Sequence, residues 1–89
     1  MRVWQVSAVG WGFMKIGKRQ DCEIAGFVRA DDPDDAFSRA CAIARVLAPE
    51  LLQAVGPFPR PVINVEEIQE VPETEGLDID KVEVYWTEN

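Results

Sequence analysis

Apolar and polar positions alternate along residues 3–9. Trp4, Val6 and Ala8 fall on one side, and Val3, Gln5, Ser7 and Val9 on the other. A two-residue period is the signature of a strand with one buried face. Residues 10–20 then break the pattern with Gly10, Gly12 and Gly17, and add Trp11, Phe13 and three bases. Glycine clusters interrupt extended runs, so this segment reads as the long loop of a hairpin, with continuation of the strand through Trp11 as the alternative. Residues 22–30 form the returning strand, with Cys22, Ile24, Gly26 and Val28 on one side and Glu23, Ala25, Phe27 and Arg29 on the other.

Asp31-Asp32-Pro33-Asp34-Asp35 is the clearest local signal in the chain. Asp32 suits an N-cap, Pro33 suits the first helical position, and Asp34 and Asp35 put negative charge on the positive end of a helix dipole. The helix expected over about residues 32–48 carries an apolar stripe of Ala36, Phe37, Ala40, Ile43, Ala44 and Leu47. Pro49 ends or kinks it, and residues 49–55 can add a short further turn. Residues 56–61 contain three alternating prolines and read as a stiff extended connector.

Residues 62–71 fit a strand through Ile63 and Val65, or a two-turn helix through Val65, Ile68 and Val71. The β-branched pair Val62-Ile63 after an extended connector favours the strand. With Glu66, Glu67 and Glu70 on it, that strand suits an edge, where charge discourages sheet-to-sheet aggregation. An acidic loop over residues 72–80 precedes a last strand, 81–86, with Val82, Val84 and Trp86 on one side. The order is therefore β-β-α-β-β, an α+β two-layer sandwich with one helix on a mostly antiparallel four-stranded sheet. Trp4, Val6, Val82, Val84 and Trp86 are the residues expected beneath the helix.

With 89 residues the chain is a single domain, since a second core would need roughly 50 more. It has no histidine, which removes imidazole-assisted nucleophiles, imidazole metal ligands and imidazole pH switches. Cys22 and Cys41 belong to no Cys-x-x-Cys pair, and neither suits a nucleophile: Cys41 lies on the margin of the helix stripe, and Asp21 and Glu23 flank Cys22. Arg2 is followed by no continuous apolar stretch, and no run is long enough to span a bilayer, so the expectation is a cytoplasmic protein with reduced thiols.

The net charge of −7 is unevenly spread. Residues 1–30 hold five bases against two acids, residues 31–60 three against five, and residues 61–89 only Lys81 against nine acids. The acidity is a property of the last third of the chain. It argues against direct nucleic-acid binding, which needs a surplus of Lys and Arg on one face.

Three motifs invite chemistry. Residues 12–18 match the G-x-x-x-x-G-K part of a phosphate loop, but Arg19 replaces the magnesium-binding hydroxyl and a strand follows where a helix is required. The Asp31–Asp35 cluster lacks the alternating ligands of a calcium loop and is explained by helix capping. The glutamates of the last third lack the unequal burial that an acid–base pair requires. No cofactor, metal site or enzymatic activity is expected.

Partner contact is the better use for two surfaces. Trp11, Phe13, Lys15, Lys18 and Arg19 combine aromatic and cationic groups at the hairpin end, a composition enriched where proteins grip one another. Glu66, Glu67 and Glu70 line the expected edge strand. In small size, acidity and lack of catalytic residues the chain is similar in general character to bacterial immunity proteins and small phage-borne inhibitors, a likeness of composition that implies no particular residue. The leading expectation is a non-catalytic protein-binding domain whose acidic C-terminal half engages a basic partner surface. The other is a structural domain forming a homodimer through the uncovered sheet face, with Val3, Val9, Phe27 and Tyr85 lining it.

Overall fold

The computed structural model describes residues 1–88. Strands β1 (Arg2–Lys15) and β2 (Lys18–Ala30) form a long hairpin. Helix α1 (Pro33–Leu47) and a 3-10 segment (Pro49–Val55) follow, then β3 (Val62–Glu70) and β4 (Lys81–Glu88). All four strands pair antiparallel in the order β3-β1-β2-β4. The hairpin is therefore the centre of the sheet, and the two acidic C-terminal strands are its opposite edges.

The core lies between the sheet and α1. Trp4, Val6 and Ala8 of β1, Ile24 and Val28 of β2 and Val82 of β4 meet Ala36, Ala40 and Ala44 of α1 and Leu51 of the 3-10 segment. Small residues at three successive helical turns let the helix settle close to the strands. The Trp4 indole N–H donates to the Ala30 carbonyl at 3.0 Å, so its one polar atom is satisfied inside the core. Val84 and Trp86 pack on the margin, half-buried. Leu47 was expected in the stripe but is 60% exposed. It is the last helical residue, and the chain turns away at Ala48.

The N-terminus of α1 forms as its local chemistry dictates. The Asp32 side chain accepts from the Asp35 N–H at 2.8 Å, and the Asp35 carboxylate accepts in turn from the Asp31 N–H and from Arg39 Nε. The Asp31 N–H and the adjacent Arg39 hold the Asp35 carboxyl below its ordinary value.

The hairpin differs from expectation. There is no long loop: β1 runs on to Lys15, and only Ile16 and Gly17 form the turn, both at positive φ. This is the geometry of the tight turns that match strand twist. The pairing shifts between Gly10 and Phe13, so Trp11 and Gly12 together face Asp21. Gly12 takes φ +79, open to glycine at little cost, and its N–H donates to Asp21 Oδ1 at 2.9 Å. The bulge reverses the facing of everything beyond it. Phe13, an odd-numbered residue in a strand whose even-numbered residues point inward, reaches the core with no exposed surface.

Beyond Trp11, β1 has no β3 residue beside it. The Gln53 side chain takes over there: its carbonyl accepts from the Met14 N–H at 3.0 Å, and its amide donates to the Met14 carbonyl at 2.9 Å. One side-chain amide thus stands in for a strand neighbour and satisfies both backbone groups.

The acidic loop over 71–80 is anchored at both ends. The Val71 N–H donates to the Val3 carbonyl, and the Asp80 N–H to the Phe27 carbonyl at 2.7 Å. The Asp80 carboxylate accepts from the backbone N–H and the Nε of Arg29. A cleft of about 390 Å³ lies between this loop and the sheet face turned away from α1, lined by Gln5, Ala25 and Phe27 below and by Gly76, Leu77 and Asp78 above.

Candidate functional site

The bulge decides which hairpin residues share a surface. Trp11 and Arg19 stay on the face away from α1, where they line two depressions of about 270 and 340 Å³. Trp11 is 49% exposed. Phe13 is in the core, meeting the Trp86 ring edge-on with centroids 6.0 Å apart. Lys15 is turned to the helix side, its ammonium 4.8 Å above the Trp86 ring and 4.0 Å from Glu50. Lys18 is exposed beside the turn. The five residues expected to act together at one tip are thus divided between two faces.

Residues distant in sequence complete the exposed cluster. β3 starts opposite Trp11, with Val62 as its partner, and this brings the connector alongside. Arg60, Pro59 and Pro61 line the same depression as Trp11 and Arg19. The Arg60 guanidinium lies 5.3 Å from the centre of the Phe58 ring, and Phe58 is 81% exposed. Neither Arg19 nor Arg60 forms an ion pair among the described residues. Phe58 and Arg60 were read only as connector. The available signal was an aromatic and an arginine in a stretch with no inward-facing period, which leaves them in water.

β3 is the expected edge, and none of its residues is buried. Its pairing with β1 shifts between Ser7 and Ala8, leaving Glu66 as the extra residue. Glu66 and Glu67 form no ion pair among the described residues. Glu70 pairs with Arg2 at 3.2 Å, and Arg2 also lies over the Trp4 ring and donates to the Asp31 carbonyl. An exposed pair of this kind contributes no more than about 1 kcal/mol. Trp11, Val62, Glu66 and Glu67 succeed one another along one border, aromatic and cationic at its start and anionic further on.

The pairing register puts Val3, Val9, Phe27 and Tyr85 together on the face away from α1, as the alternation suggested. The 71–80 loop borders the cleft over part of that face, around Phe27. The segment over 12–18 is strand and turn, and β2 follows it, so no helix N-terminus is presented to a phosphate. Both cysteines are free and buried. Burial pushes the Cys22 thiol above its ordinary value and Asp21 adds to the rise, while burial does the same to Cys41. Among the described residues no group of three or more His, Cys, Asp or Glu is placed to hold a metal ion. No helix among them is long and apolar enough to cross a membrane. Comparison with protein-family models, curated proteins and solved structures gives no match to this chain.

Proposed function

We propose that the chain is a non-catalytic protein-binding domain whose contact surface is the β3 border. Glu66 and Glu67 engage a basic patch on the partner, and Trp11, Arg19, Phe58 and Arg60 anchor the contact at the upper end. The observation that carries this reading is the β3 edge itself, a nine-residue strand with no buried residue and two carboxylates without ion partners among the described residues. Its start adjoins an exposed tryptophan and two arginines without ion partners among the described residues, residue types that dominate binding energy at interfaces. The buried free thiols support a reducing, cytoplasmic setting. Self-association through the uncovered face is less well supported, because the acidic loop borders the cleft around Phe27.

The test is affinity capture of the partner at about 50 and about 300 mM salt, followed by titration calorimetry on whatever is recovered. Affinity should fall severalfold as salt rises. Glu66→Lys with Glu67→Lys should weaken binding about tenfold or more and flatten the salt dependence, and Trp11→Ala should weaken it by a similar factor. A partner that binds these variants as well as the parent chain, or a salt-independent affinity, counts against the reading.

A further inference from the structure

The two edges of the sheet are not equally protected. β3 carries a bulge at Glu66 and two carboxylates in mid-strand, both of which discourage a further strand. β4 has no bulge: it pairs with β2 from Gly26–Val82 to Gln20–Glu88 without a shift. Beside β4, on the helix side, runs a cleft of about 650 Å³ lined by Leu47, Pro49, Val84 and Trp86, with Lys15 and Glu50 also at its wall. α1 stops short of this strip, so Leu47 is exposed and Val84 and Trp86 are only half-buried.

We infer that β4 pairs antiparallel with β4 of a second copy, about a two-fold axis through Val84, extending the sheet to eight strands. The strand is complementary to itself in that register. On the helix side Val82 stands opposite Trp86 of the second copy, and Val84 opposite its own equivalent. On the other side Glu83 faces Tyr85 and Lys81 faces Thr87, so no like charges are directly opposed over residues 81–87. A two-fold axis one residue earlier would set Glu83 against Glu83. The pairing also joins the two clefts, placing Leu47, Val84 and Trp86 of both copies along one apolar strip. A second copy is favoured over a foreign strand because β4 already supplies the matching order of side chains.

Sedimentation equilibrium of the full chain from about 10 to about 500 µM should show the mass rising towards the dimer. Each copy carries −7, so association should tighten as salt rises from about 50 to about 300 mM. The β3 contact weakens over the same range, which separates failure of one reading from failure of the other. Tyr85 is 53% exposed, so its variants should fold, and circular dichroism melts check this. Tyr85→Glu sets a carboxylate across from Glu83 at two symmetric places and should weaken the dimer about tenfold, while Tyr85→Lys should not weaken it. Val84→Cys, placed on the axis, should cross-link in a glutathione buffer, and Val65→Cys on β3 should not, since facing residues of antiparallel strands lie within disulfide reach. A monomer at the highest concentration, equal cross-linking at both positions, or a dimer indifferent to Tyr85→Glu would overturn the pairing.

Discussion

Gly26 faces Val82 across the β2–β4 pair at the point where β4 begins. A Cβ there would overlap the Lys81 carbonyl oxygen and stand 2.7 Å from Val82 Cα, both of them backbone atoms unable to swing aside. Gly26→Ala should therefore cost about 2 kcal/mol and lower the thermal midpoint by roughly 10 °C, read by circular dichroism. Ile16 presents the opposite case. A β-branched residue at φ +52 is strained, and at 88% exposure its side chain contributes almost no burial. Ile16→Asn should raise stability by about 0.5–1 kcal/mol in the same measurement.

Among the elements, α1 was legible in the sequence because its signals are local. Asp32, Pro33, Asp34 and Asp35 act within one turn, and the structure has Asp32 as the N-cap, Pro33 as the first helical residue and both acids in the first turn, as expected. Asp32→Ala should cost about 1 kcal/mol in chemical denaturation. The Asp35 carboxyl is held below its ordinary value, so its contribution is present above the unfolded-state value and lost as pH falls through the folded one, below about 4. Asp35→Asn should make the stability curve shallower in that acid range. The hairpin end is not legible in the sequence beyond Trp11 because its alternation breaks at Gly12, and a bulge cannot be distinguished from a loop without knowing the partner register. Phe58 and Arg60 escaped for a related reason: they join Trp11 only through the Trp11–Val62 pairing, 51 residues apart in the chain. Leu47 fitted the helical period, but a period does not say where the sheet beneath the helix ends.

For the whole molecule, the polarisation of charge along the sequence takes a spatial form that segment counting alone does not supply. Because β3 and β4 are opposite edges, the acidic third flanks the hairpin on both sides and crosses between them in the 71–80 loop. The molecule is elongated, 41 Å along its longest axis. Its two thiols report on the integrity of the whole fold. Each is buried with its pKa raised, so modification by a thiol reagent at mild pH should be slow in the native state and should follow global unfolding across a denaturant series. Rapid labelling without denaturant would show local opening of the α1–sheet contact.

The bulge at Gly12 also bears on which length changes the hairpin can accept. Below it, even positions are core positions; above it, odd ones are. Removing Gly12 alone would leave Trp11 opposite Asp21 and Phe13 opposite Gln20, so alternation would run unbroken to the turn with the Phe13 ring still inward, and what would be lost is the Gly12 N–H bond to Asp21. Adding or removing residues in pairs nearer the turn would keep the assignment of faces. The bulge is therefore a place where the hairpin can lose one residue and still keep Phe13, its largest fully buried side chain, in the core.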